Sequence, residues 1–150
     1  HPLTKQNEKL YQIVHEVFVE ILSPPDEPSA STHPLQIRGQ ATKVQPGNEP
    51  FLCFQRQSPG DVVFVDRNVA ENDATLSQIL SSCHAVKILG SAQRRYHSAL
   101  LQHGSLLLNR SPAAPELAGW HNLTNSTVAT QVVIAAATSQ LSQALSLQPH

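Results

Sequence analysis

The chain has few cysteines, aromatic residues and charged residues, and it has no long apolar run. Of its 150 residues, two are cysteines, 5% are aromatic and 14% are charged. Because Cys53 and Cys83 lie in unlike surroundings, a disulfide scaffold is not expected, and each thiol is a candidate for reactivity instead. No stretch approaches the roughly 20 apolar residues that span a bilayer, and no signal segment opens the chain. We therefore expect a cytoplasmic protein that does not enter a membrane.

The net charge and the spacing of the histidines exclude further classes of partner. A formal net charge of −1 offers no basic face for nucleic acid or for an anionic membrane. The eight histidines do not follow the spacing of zinc ligands, so no metal is expected. The sequence also lacks a glycine-rich phosphate-binding loop for a nucleotide. Any partner must therefore be recognised locally.

Two helices are predicted near the ends of the chain, whose length suits a single domain with one core. Apolar residues recur at three- and four-residue spacing over residues 5–22, which predicts an amphipathic helix with Thr4 as its cap. A second helix is predicted over residues 128–145, with Ser126 or Thr127 as its cap.

The segments between these helices have the composition of β-strands. Residues 35–38 alternate briefly, and residues 61–65 form the clearest strand. Residues 85–89 and 99–108 are apolar runs typical of buried strands, and a polar, basic connection joins them. Strands grouped between helices predict an α+β fold, with a mixed or antiparallel sheet and helices packed on it.

Two blocks of sequence resemble a known family. Lys87-Ile-Leu-Gly-Ser-Ala-Gln-Arg-Arg, followed by Leu101-Gln-His-Gly-Ser-Leu-Leu-Leu, is similar to the core signature of the lipoate-protein ligase and octanoyltransferase family. Pro50-Phe-Leu-Cys-Phe-Gln-Arg-Gln-Ser-Pro-Gly-Asp-Val-Val resembles the segment that precedes this signature in the octanoyltransferase branch. The resemblance implies that residues 1–150 are the C-terminal part of a biotin/lipoate ligase-like domain, without the family's upstream arginine- and glycine-rich segment. It also implies that residues 66–82 are an insertion at a hairpin tip.

The resemblance implies a catalytic pair, Cys53 and Lys87. The residues alone favour a different interpretation, in which Cys53 is a small core hydrophobe; Lys87 has the alternative of a strand residue whose ammonium reaches solvent. In the octanoyltransferase branch, the cysteine that matches Cys53 becomes acylated, which divides one difficult acyl transfer into two thioester steps. A lysine beside it would lower the pKa of the thiol, relay a proton or stabilise an oxyanion.

The resemblance also implies a set of substrate-binding residues, which are Gly90, Ser91, Ala92, Gln93, His103 and Gly104. A glycine at position 90 suits a close backbone approach to a ligand. Residues 91–93 are expected on the connection between the two strands, either facing the site or as a plain hairpin loop. His103 is either a core histidine or a neighbour of Lys87, and Arg94 and Arg95 are expected to face solvent or an acidic carrier protein.

The implied function is that of an acyltransferase in lipoate metabolism. An octanoyl or lipoyl group would pass from an acyl carrier protein, through a thioester at Cys53, to a lysine of a lipoyl domain or of a glycine cleavage H protein, without a cofactor. An ATP-dependent lipoate-protein ligase is the alternative enzyme, which shares the lysine but does not need the cysteine. An inactive fragment or binding module is the third possibility, since the upstream segment has no counterpart here.

Overall fold

The computed structural model describes residues 6–23, 34–39, 52, 54–65 and 85–146. These residues have an α+β architecture, as predicted. The elements in chain order are α1 (Asn7–Leu22), β1 (Leu35–Ile37), β2 (Val62–Val65), β3 (Ala85–Tyr96), β4 (Ala99–Leu106), α2 (Trp120–Thr124) and α3 (Thr130–Ser146). Cys53, Cys83 and the predicted insertion over residues 66–82 lie outside the described residues.

The described strands form one antiparallel sheet in the order β1-β2-β3-β4. Leu35 of β1 lies opposite Phe64 of β2, and Val65 at the end of β2 lies opposite Ala85 at the start of β3. The last residue of β2 and the first residue of β3 are therefore neighbours across the sheet, although residues 66–84 lie between them in the sequence.

The long β3–β4 hairpin corrects one prediction from the sequence. The polar stretch that was expected to connect two short strands is instead the outer half of β3, which pairs with β4 as far as Tyr96 opposite Ala99. The chain reverses at His97 and Ser98, with His97 in the left-handed region at φ 49°. The polar side chains in this stretch led to a predicted end of β3 that is too early. Backbone hydrogen bonds define a strand, and an exposed pair of strands tolerates charged side chains.

The apolar core lies between the sheet and the helices. Its buried residues are Leu22, Leu35, Val62, Ile88, Leu89, Trp120 and Val133. Trp120 belongs to a segment that was expected to be irregular, but it begins α2 and packs edge-on against Phe64 with ring centroids 6.4 Å apart. Its backbone N–H donates to the Leu107 carbonyl at 2.8 Å, so α2 is attached to the end of the hairpin.

The helix starts differ from the predicted ones. Gln6 is the N-cap of α1 and makes no side-chain capping bond, whereas Thr4 lies outside the described residues. The second predicted helix begins at Thr130, two residues later than expected, and the Ser126 hydroxyl accepts the Val128 N–H at 3.4 Å in a local turn before it. No helix among the described residues is long and apolar enough to cross a membrane.

Candidate functional site

Lys87 of β3 reaches across to the segment that precedes β2. Its Nζ lies 2.9 Å from Asp61 Oδ2 and donates to the Arg56 carbonyl oxygen at 3.2 Å. The same ammonium lies 5.6 Å from the centroid of the Phe54 ring, within the range of a cation–π contact. Since only 11% of its side chain is exposed, Lys87 does not extend into solvent as one alternative expected. The structure therefore brings together the two sequence blocks that carry the family resemblance.

The Asp61 carboxylate holds this ammonium from a buried position. Its side chain is 2% exposed, and its Oδ2 also accepts the backbone N–H of Ser58 at 2.6 Å. The Tyr11 hydroxyl donates to Oδ1 at 3.3 Å. Burial and the negative charge of Asp61 raise the pKa of Tyr11, so the phenol keeps the proton that it donates. A buried carboxylate is costly unless it is paired and hydrogen bonded, and these partners meet both needs.

Gly90 makes room for the Lys87 side chain. A Cβ at Gly90 would lie 2.3 Å from Lys87 Cε and 2.6 Å from Nζ. The close approach that was expected at this glycine is therefore made by the lysine of the same strand.

His15 of α1 forms a second buried polar group beside this cluster. Its Nδ1 lies 2.6 Å from the Gly60 carbonyl oxygen, which can only accept, so Nδ1 carries the proton. In the neutral ring Nε2 is then an acceptor, and it lies 2.7 Å from the Ser91 hydroxyl oxygen, which donates to it. Burial lowers the pKa of His15 and the positive charge of Lys87 lowers it further, although the Gly60 bond and Asp61 oppose this. The imidazole is therefore a neutral base.

Two glutamines fix the position of Ser91 on the hairpin. Gln102 Nε2 donates to Ser91 Oγ at 3.2 Å, and Gln93 Nε2 donates to Gln102 Oε1 at 2.8 Å. Gln93 also donates to the Asn7 carbonyl at 2.8 Å, and the Arg95 guanidinium donates to the Asn7 side chain. Alternate residues of β3 therefore attach to α1, and Arg95 does not simply face solvent.

The remaining predicted residues lie around Ser91. Gly104 pairs with Ser91 across the hairpin, and a Cβ at Gly104 would lie 2.7 Å from the Ser91 Cβ. Ala92 and His103 form the next pair, and both residues are exposed. His103 is therefore not a core histidine, and the buried histidine of this region is His15.

An apolar cavity of about 720 Å³ adjoins Ser91 and His15. Its walls come from α1, β3, β4 and α3, with side chains that include Leu10, Phe18, Leu89, Leu106 and Leu141. Gln102, His103 and Gly104 also line it. The cavity is thus an apolar space with a polar group on one wall, which suits a ligand with an apolar chain.

Asp61, Tyr11 and His15 were not predicted from the sequence as site residues. Asp61 directly precedes a buried strand, and His15 lies among the apolar positions of α1, which are the two signals available in the sequence. Among the residues that the structure describes, no group of three or more potential metal ligands is present. Comparisons with protein-family models, curated proteins and solved structures find no match.

Proposed function

We propose that the chain is an acyltransferase of lipoate metabolism, with a biotin/lipoate ligase-like domain and with Cys53 and Lys87 as its catalytic pair. One observation carries the proposal. The Lys87 ammonium contacts the ring of Phe54, the residue that follows Cys53 in the chain, and the carbonyl of Arg56, although Arg56 and Lys87 are 31 positions apart. A contact between these blocks is what a shared site would require.

The chemistry of the proposed site follows from a thiol and an ammonium. The Cys53 sulfur attacks the acyl thioester of an acyl carrier protein, and the carrier thiol leaves with a proton. The amine of a lysine on a lipoyl domain or glycine cleavage H protein then attacks the Cys53 thioester, forms the amide and releases the thiol. An ammonium that Asp61 holds in place suits electrostatic stabilisation of the thiolate and of the oxyanion in both steps.

The cavity supports an apolar acyl group as the substrate. Ligand pockets usually measure roughly 300–1,000 Å³, and the cavity of about 720 Å³ falls within this range. In the proposal, Ser91, His103 and Gly104, which line the cavity, lie nearest to the acyl group. Gly90 makes room for Lys87, and Gln93 acts through Gln102 on the position of Ser91. In the proposal, an acidic carrier protein contacts Arg94, which is exposed on β3.

The experiment that tests the proposal is a mass measurement after incubation with octanoyl-acyl carrier protein. We expect the chain to gain one octanoyl group on the peptide that contains Cys53, Cys53→Ala to gain none on that peptide, and Cys83→Ala to gain it as the parent does. A parallel incubation with octanoate and ATP tests the ligase alternative, in which transfer to a lipoyl domain would need ATP and would survive Cys53→Ala. Retention of the adduct by Cys53→Ala on the peptide that contains position 53 would contradict the assignment of the nucleophile.

A further inference from the structure

The Ser91 hydroxyl, the His15 imidazole and the Gly60 carbonyl form a chain of hydrogen bonds beside the apolar cavity. We propose that Ser91 is a second acyl acceptor, which takes an apolar acyl group from an activated ester or thioester and releases it to water. His15 is its general base. This inference rests on described residues alone and does not depend on Cys53.

The hydrogen-bond distances around His15 are typical of a nucleophile that is activated by a neighbouring base. The two hydrogen bonds measure 2.7 Å from Ser91 Oγ to His15 Nε2 and 2.6 Å from His15 Nδ1 to the Gly60 oxygen. A nucleophile within hydrogen-bond reach of a base, with a third group orienting that base, is the arrangement of nucleophilic hydrolases. The Tyr11 ring packs on the imidazole with centroids 4.1 Å apart, which further restricts its orientation.

The surroundings of Ser91 leave access for a substrate. Ser91 is half-buried and lines the cavity, whereas His15 is fully buried and shielded from bulk water. The residue opposite Ser91 on β4 is Gly104, and any side chain there would crowd the Ser91 Cβ. A glycine at this position keeps the space beside the hydroxyl open toward the cavity.

The proposed reaction balances without a cofactor. Ser91 Oγ bonds to the acyl carbon while its proton moves to His15 Nε2, and the bond between that carbon and the leaving group breaks. The leaving thiol or alcohol takes the proton from His15. Water then attacks the Ser91 ester with His15 as base, the carboxylic acid leaves, and the hydroxyl is restored. Gln102 Nε2, which now donates to Ser91 Oγ, has a second N–H for the oxyanion.

The test uses p-nitrophenyl octanoate and the full chain carrying Cys53→Ala and Cys83→Ala, so that no thiol competes. We expect release of p-nitrophenol and an octanoyl group on the peptide that contains Ser91. Adding His15→Gln should reduce release by roughly 10²–10⁴-fold, the usual contribution of a general base, and adding Ser91→Ala should reduce it at least as much, because the nucleophile itself is lost. Ser105→Ala, an exposed serine on the neighbouring strand, is the matched control and should release p-nitrophenol at the rate of its background.

The inference would be overturned by a folded, cysteine-free chain that releases no p-nitrophenol above the protein-free rate, or by equal release from Ser91→Ala. If Ser91→Ala does not fold, Ser91→Cys in the same background tests whether position 91 accepts the acyl group, because this variant should accumulate a stable thioester there. No adduct there would also overturn the inference. Failure in these arms leaves the test of Cys53 unaffected, since that test follows the octanoyl group on the peptide that contains Cys53.

Discussion

Asp61 and Lys87 place opposite charges in a site from which solvent is largely excluded. Removing one partner of a buried ion pair leaves the other charge unpaired, and this usually costs about 3–5 kcal/mol. Because the Lys87 side chain is 11% exposed and can turn outward, we expect Asp61→Asn to cost about 3 kcal/mol of the free energy of unfolding.

The double variant with Lys87→Met should lose less than the sum of the single losses, by about 0.5–3 kcal/mol, because the two residues interact directly. Urea unfolding measures these values, with Lys9→Met as the control for removing an exposed lysine. Additive effects of the two substitutions would show that the pair does not form in solution.

The buried imidazole of His15 predicts how stability depends on pH. Its pKa in the folded chain is below the ordinary value of 6.5, chiefly because of burial. As the pH falls through about 6.5, the unfolded chain therefore binds a proton at this residue before the folded chain does. The state that binds more protons is favoured, so stability should be greatest above this pH and should fall until the pKa of the folded state is reached.

Urea midpoints at several pH values between neutral and acidic conditions measure the effect. His15→Gln should flatten the dependence, whereas His103→Gln, which changes an exposed histidine, should leave it as in the parent. Asp61, Tyr11 and Lys87 lie nearby and are unchanged in both variants. A parent slope retained in His15→Gln would contradict the assignment of a neutral buried base.

At the scale of elements, β2 and β3 are neighbours whose ends already meet. Val65 lies directly opposite Ala85, so a two-residue turn is long enough to join them. Replacing residues 66–84 with Asn-Gly should leave the chain folded, since a shorter loop costs less entropy to close. Circular dichroism and the Cys53 adduct measure the result. Loss of the fold would mean that the replaced segment contributes to the core, and that it is not a dispensable insertion.

Patterns along single elements allowed much of the fold to be predicted. The three- and four-residue spacing of apolar residues predicted α1 to within two residues, and the β-rich run before position 66 predicted β2. The outer half of β3 was missed because its pairing with β4, and the bonds of Gln93 to α1, depend on contacts between elements. Side-chain polarity in one segment does not report those contacts.

The candidate site was predicted only in part for the same reason. Lys87 was identified from the residues around it in sequence. The contacts of Asp61 with Tyr11 and of His15 with Ser91 link residues 50 and 76 positions apart, which composition and spacing do not report. In the folded molecule, the buried Asp61 carboxylate positions Lys87. The Ser91–His15 pair lies nearby and lines the cavity.

The central claim is that Lys87 and Cys53 act in one site, and the rate of Cys53 alkylation by iodoacetamide against pH tests it most directly. With Cys83→Ala as background, Cys53 should titrate below the ordinary thiol value of about 8.5, because a nearby ammonium stabilises the thiolate. Lys87→Met should shift this profile upward and slow alkylation at neutral pH. Lys87→Arg should keep the fast alkylation, and poor octanoyl transfer by it would assign Lys87 a proton-relay role as well. Coincident profiles for the parent and both variants would contradict the two-residue site.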